Sequence, residues 1–172
     1  TVVREVSPEA AERSRAGIQK SLDRALERGK LDDSAHAAAL GNLSFTTEFG
    51  DLSDCDLVVE AVVESFDPKA EVFRVLDEVV ASPDAVLATN TSSIPIIDIA
   101  MTTGRPEKVL GLHFFNPAPV MKLVEVIPSV RTDGAVTAEV TAFATDVLDK
   151  VVVAAKDRAG FVVNMLLVPY LN

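Results

Sequence analysis

Between Val109 and Ile127 the chain reads VLGLHFFNPAPVMKLVEVI, and this stretch restricts the fold more than any other. Val109-Leu110-Gly111-Leu112 is apolar enough for a buried strand, and it runs into His113 and two phenylalanines. Lys122 to Ile127 is a second strand, with Glu125 as the single acid among Leu123, Val124, Val126 and Ile127. The link between them carries Asn116, Pro117 and Pro119 and is too short for a helical crossover, so the strands should run antiparallel. A carboxylate in an apolar strand needs a partner, because burying it unpaired is costly. An imidazole that becomes cationic on taking a proton is a suitable one, which makes His113 a candidate general base and Glu125 its orienter. Residue type alone leaves blander readings open. His113 could be a satisfied core histidine beside Phe114 and Phe115, and Glu125 could face solvent on an edge strand.

On either side, strands alternate with helices. Thr1 to Glu5 reads as a short strand ending in an acid, Ser7 as a cap, and Pro8 as the first turn of a helix. Ile18, Leu22, Ala25 and Leu26 recur at helical spacing and predict a buried face. Lys20, Arg24 and Arg28 form a basic ridge on the same helix. It reads either as a solvated face or as a contact for a phosphorylated ligand. Asp32 to Leu40 is a second helix with Gly41 past its end, and His36 reads as a solvated residue on it. Leu43 to Thr46 reads as an extended piece.

Leu57 to Val63 is β-branched and predicts a buried parallel-type strand. Asp67 and Pro68 suit the start of a helix whose inner face is Val72, Phe73, Leu76, Val79 and Val80. Ala85 to Ala88 is the next strand, and a short helix spans Ile96 to Met101. A helix over Gly134 to Asp149 should turn Val136, Val140, Phe143, Val147 and Leu148 inward. Val151 to Ala154 is a last strand, and Gly160 to Leu171 begins a very apolar helix. The alternation predicts an α/β layer fold with a mainly parallel sheet.

In such sheets ligands bind beyond the carboxyl ends of the strands. Three strands here end in polar clusters: Glu60 to Glu64, Asn90-Thr91-Ser92-Ser93, and His113 with Asn116. These clusters should share one crevice. Ser92 could hydrogen-bond there or merely cap the helix ahead of Ile94, and Asn90 could merely shape the turn. The net charge of −10 argues against nucleic-acid and anionic-membrane partners. No apolar run reaches a membrane-spanning length, and no signal-peptide pattern opens the chain. Cys55 is the sole cysteine, so a reducing cytoplasm is the plain expectation. Two histidines and one cysteine far apart make no zinc signature, and no metal is expected.

Four motifs in order carry a further signal: DLVVEAVVE at Asp56, LATNTSS at Leu87, GLHFFNPAPVMKLVEVI at Gly111, and KDRAGFVVN at Lys156 followed by LLVPYLN. In this order and spacing the chain resembles the central stretch of L-3-hydroxyacyl-CoA dehydrogenases, especially the stand-alone 3-hydroxybutyryl-CoA type. The resemblance implies a Rossmann-type NAD-binding domain over residues 1–155, with a helical hairpin at 8–41, and the start of an all-α substrate and dimerisation domain at 156–172. It implies NAD as cofactor, an acyl-CoA substrate, and a homodimer. His113 then resembles the catalytic base, Glu125 its orienting partner, Ser92 the serine that bonds the reacting oxygen, and Asn164 the asparagine that places the substrate. Glu5 corresponds to the acid that binds the adenosine ribose. Ala61, Glu64, Lys69, Asn90 and Asn116 match positions near the cofactor. Ser21 and Arg28 match positions that contact CoA, and Lys69 is also expected to reach CoA.

The family's first strand and glycine-rich loop would precede Thr1, and most of its helical domain would follow Asn172, so the expectation is a fragment of a longer enzyme. A molecule of only these residues should be inactive and should not bind NAD measurably. Two other readings stand beside the dehydrogenase: another NAD-dependent hydroxyacid dehydrogenase of the same architecture, and a non-catalytic, crystallin-like relative.

Overall fold

The computed structural model describes residues 1–166, which fall into two compact units: Thr1–Ser53 and a second beginning at Asp54. The expected helix from Gly160 to Leu171 is described only through its first turn, at 163–166, and its remainder lies outside the described residues.

In the first unit, β1 (Val2–Arg4) pairs in parallel with β2 (Ser44–Thr46) around a helical hairpin of α1 (Pro8–Glu27) and α2 (Asp33–Gly41). Ser7 caps α1 by accepting from the Ala10 amide, and Asp32 caps α2 through Ala35. The face of Ile18, Leu22, Ala25 and Leu26 is half-buried rather than buried, and Ala10 is the one buried residue of α1. His36 departs from its expected solvated state. The hairpin brings it beside α1, where its Nε2 lies 2.7 Å from Asp23 Oδ1.

The second unit is built on a five-stranded sheet in the order β3 (Leu57–Glu60), β4 (Val86–Thr89), β5 (Val109–Phe114), β6 (Leu123–Pro128), β7 (Val151–Ala154). All pairings are parallel except β5 with β6, which is antiparallel as the short turn requires. Period-2 alternation sorts the central strands into two faces. Leu110, Leu112, Val124 and Val126 point to one face, where they pack with Val136, Val140 and Ala144 of the segment that includes α5 (Gly134–Ala142). The opposite face carries Val109, Gly111, His113, Glu125 and Ile127. Here α4 (Ile96–Ala100) lies so close that a Cβ on Gly111 would come within 2.8 Å of Ile96 Cδ1. The helix α3 (Phe66–Val79) buries Lys69, Ala70, Phe73 and Leu76.

Three elements differ from their sequence expectation. Strand β3 stops at Glu60, because that residue's own Oε1 accepts from the Val62 amide and bends the chain away, which leaves Val63 exposed. It pairs with β4 alone among the described residues, so it is less buried than expected, with Val59 39% exposed. Helix α3 begins at Phe66, before Asp67. Pro68 falls in its first turn, where amides have no partner within the helix. The helix from Gly134 ends in a π turn at Phe143–Val147, whose wider winding turns Ala144 inward and leaves Val147 68% exposed. No helix among the described residues is long and apolar enough to cross a membrane.

Candidate functional site

The antiparallel register sets His113 directly opposite Glu125. Both side chains leave the sheet on the face of α4, and His113 Nδ1 lies 2.7 Å from Glu125 Oε2. Glu125 is fully buried and His113 is 5% exposed, so water competes little for this contact. The other carboxylate oxygen, Oε1, accepts from the Val162 and Val163 amides, each at 2.9 Å. Glu125 is therefore an acceptor at both oxygens, and the network assigns the ring proton to Nδ1, donating to Oε2. The other ring nitrogen, Nε2, lies 3.1 Å from Ser92 Oγ. Phe115 and Phe161 flank the ring, with centroids 4.7 Å and 5.7 Å away.

Ser92 is itself held. Glu64, at the end of the chain that leaves β3, accepts through Oε1 from Thr91 Oγ1 at 2.6 Å and from the Ser92 and Ser93 amides at 2.8 and 3.0 Å. Burial pushes the Glu64 carboxyl up, but the donors of Thr91, Ser92 and Ser93, with the Lys69 ammonium behind them, outweigh this and hold it below the usual glutamate value. Asn90 accepts from the Phe114 amide at 2.8 Å and ties β4 to the strand end that carries His113. Ser92 does not cap the following helix; in the turn ahead of it, Thr91 Oγ1 accepts from the Ile94 amide.

Lys69 is enclosed rather than at the surface. Its side chain is 1% exposed, with Nζ 2.8 Å from Glu60 Oε1, 3.3 Å from the Val62 carbonyl and 3.4 Å from Glu64 Oε2. The enclosed ammonium backs Glu64 in this structure. Ala61 and Asn116 are exposed beside the strand ends, and Asn164 is half-buried one residue beyond the amides that Glu125 holds. Glu5, Ser21 and Arg28 lie in the first unit, where Glu5 accepts from Ser14 Oγ, Ser21 is exposed on α1 and Arg28 is exposed at its C-cap.

Two contributors were missed from sequence. The Val162 and Val163 amides are backbone groups, invisible in residue type. Asp157 binds the Ile96 and Ile97 amides at 2.8 Å each and so fixes the start of α4 against the site. Its signal was present: an acid ahead of a glycine, in a motif already singled out. No group of three or more His, Cys, Asp or Glu among the described residues could hold a metal.

Known proteins resemble the chain along most of its length. The chain is 56% identical over 154 residues to a 3-hydroxybutyryl-CoA dehydrogenase of Mycobacterium tuberculosis, covering 90% of this chain and 54% of that protein. The crystal structure of FadB2 from the same organism matches with a TM-score of 0.96 and 53% identity, over 99% of this chain and 60% of the other. That of the (S)-3-hydroxybutyryl-CoA dehydrogenase PaaH1 from Ralstonia eutropha matches with a TM-score of 0.95 and 37% identity, over 99% and 60%. The chain thus spans little more than half the length of these relatives. The model of the 3-hydroxyacyl-CoA dehydrogenase NAD-binding domain matches residues 1–158, and the chain belongs to that family.

Proposed function

We propose that this chain is the NAD-binding portion of an enzyme that reversibly oxidises short-chain (S)-3-hydroxyacyl-CoA, such as 3-hydroxybutyryl-CoA, to 3-oxoacyl-CoA. The observation that carries the reading is the line Ser92–His113–Glu125, with Nε2 at the end away from the carboxylate. In the second unit the residues present suit NAD: polar groups stand where β3, β4 and β5 end. Bound there, NAD supplies the hydride acceptor.

Each residue then has one task. His113 Nε2 takes the proton as the substrate O–H bond breaks and C3 gives up its hydride. The Ser92 hydroxyl bonds the same oxygen and aims it at the ring. Glu125 keeps the ring in the tautomer that can accept, then balances the imidazolium that forms. Asn164 helps to place the thioester end. Ala61, Glu64, Asn90 and Asn116 shape the cofactor's side of the crevice. The exposed ridge of Lys20, Arg24 and Arg28, with Ser21, offers donors and positive charge to the phosphates of CoA. The parent enzyme acts as a cytoplasmic homodimer in this reading.

The test is loss of NADH absorbance with acetoacetyl-CoA, using the full-length protein. Turnover is expected in the wild type and a loss of at least ~10²-fold in His113→Gln, the size of a missing general base. Wild-type protein that binds NAD but leaves acetoacetyl-CoA untouched would refute the substrate class.

A further inference from the structure

One buried carboxylate, Glu60, has no task in the chemistry above. Glu60 is 4% exposed and Lys69 1% exposed, and they meet at 2.8 Å beside the buried hydroxyl of Thr89. A buried ion pair is a poor source of stability. Desolvation offsets the attraction, and an apolar pair of similar size is often as stable or more so. What such a pair does provide is fixed geometry, and here the geometry leads to the site.

Two routes run from Glu60 to the Ser92 loop. In the first, Glu60 Oε2 accepts from Thr89 Oγ1 at 2.7 Å, and Thr89 Oγ1 accepts from the Thr91 amide at 3.3 Å. In the second, Glu60 Oε1 holds both Lys69 Nζ and the Val62 amide. Lys69 then stands behind Glu64 Oε2, and Glu64 Oε1 gathers Thr91, Ser92 and Ser93. Both routes end on residues 91–93, and Ser92 meets His113 Nε2.

We propose that Glu60 is a positioning residue for the reaction, acting through Thr89 and through Lys69–Glu64 to set the Ser92 hydroxyl against His113. Its side chain is too deeply enclosed to touch substrate or cofactor, so its effect is on distance and angle. This inference rests on the dehydrogenase reading.

The test uses full-length protein, Glu60→Gln, and the double variant Glu60→Leu/Lys69→Met, which replaces the pair by apolar groups. Steady-state rates with acetoacetyl-CoA and NADH are paired with 15N spectra of the labelled imidazoles of His113 and His36. Positioning predicts that both variants fold, that kcat falls ~10-fold or more, as a sub-ångström misplacement would cause, and that KM for acetoacetyl-CoA stays within about twofold. The His113 Nε2 signal should shift in the direction seen in Ser92→Ala, while His36, in the other unit, stays in place. Normal kcat in the folded double variant would overturn the role, as would failure of both variants to fold, which would make the pair structural. Absence of turnover in the wild type would instead remove the dehydrogenase reading on which the role depends.

Discussion

Glu125 and Glu64 hold opposite ends of one hydrogen-bonded line, in different surroundings. Glu125 is fully buried between strands, with an imidazole on one oxygen and two backbone amides on the other. The Glu64 side chain is 40% exposed, and its donors come from one short loop. Burial makes the first carboxylate a fixed point: each of its bonds is strong, and each is expensive to leave unmade. Exposure makes the second adjustable, since water can replace any donor that moves. The base is thus held firmly, and the serine that meets it is held by a contact that can give.

Glu125→Gln tests the firm side and should have the largest effect. The carboxamide oxygen suits the Val162 and Val163 amides, so its NH2 is turned to Nδ1. The ring proton then moves to Nε2, and the base cannot accept. Turnover should fall at least ~10²-fold with the fold intact, measured as kcat beside a thermal melt. Near-normal kcat would dissolve the contrast between the two carboxylates. Gly111→Ala asks whether the same face tolerates volume. The new Cβ would meet Ile96 Cδ1 at 2.8 Å and Ile127 Cδ1 at 3.0 Å. Overpacking of this kind costs about 1–3 kcal/mol and should appear as a lower Tm.

Glu64→Gln probes the adjustable side. An amide can still accept from the loop, so kcat should fall by only about several-fold, short of the ~10²-fold expected of a lost acid–base group. The sharper signature is in pH. The Glu64 pKa is depressed in the folded protein, so its contribution to stability is fully present above the ordinary glutamate value. It is lost as pH falls through the lower folded value. The Tm gap between wild type and Glu64→Gln should therefore be present at neutral pH and close in acid. A gap that widens in acid would contradict the assignment. His36→Asn is the smallest case. It removes a partly exposed contact with Asp23 in the other unit, worth less than about 1 kcal/mol, and should leave kcat unchanged.

The firm side was the more legible from sequence. Alternation puts Gly111, His113, Glu125 and Ile127 on one face, and a turn too short for a crossover makes their strands antiparallel, so spacing suggested the pair while residue type left a core histidine and a solvent-facing acid open. The donors on Glu125 Oε1 were not legible, because backbone amides 37 and 38 residues away leave no mark in side-chain pattern. The burial of Lys69 was not legible either. A lysine early in an amphipathic helix ordinarily extends into solvent, and only the fold shows that Glu60 draws it inward. The π turn at Phe143–Val147 had no composition of its own and shifted Val147 outward against the helical period.

The pairing of His113 with Glu125 across β5 and β6 also bears on how the sheet finds its register. Sliding one strand by a single residue would turn Glu125 to the face occupied by Leu110, Leu112, Val136 and Val140, with no partner for its charge. Sliding by two would keep the face but set Glu125 opposite Gly111 or Phe115 instead of the imidazole. Each misalignment incurs the penalty of an uncompensated buried carboxylate, several kcal/mol, which is comparable to the net stability of a small domain. The residues assigned to proton transfer thereby also act as a check on strand alignment during folding, and a chain that passes it already has its base in place.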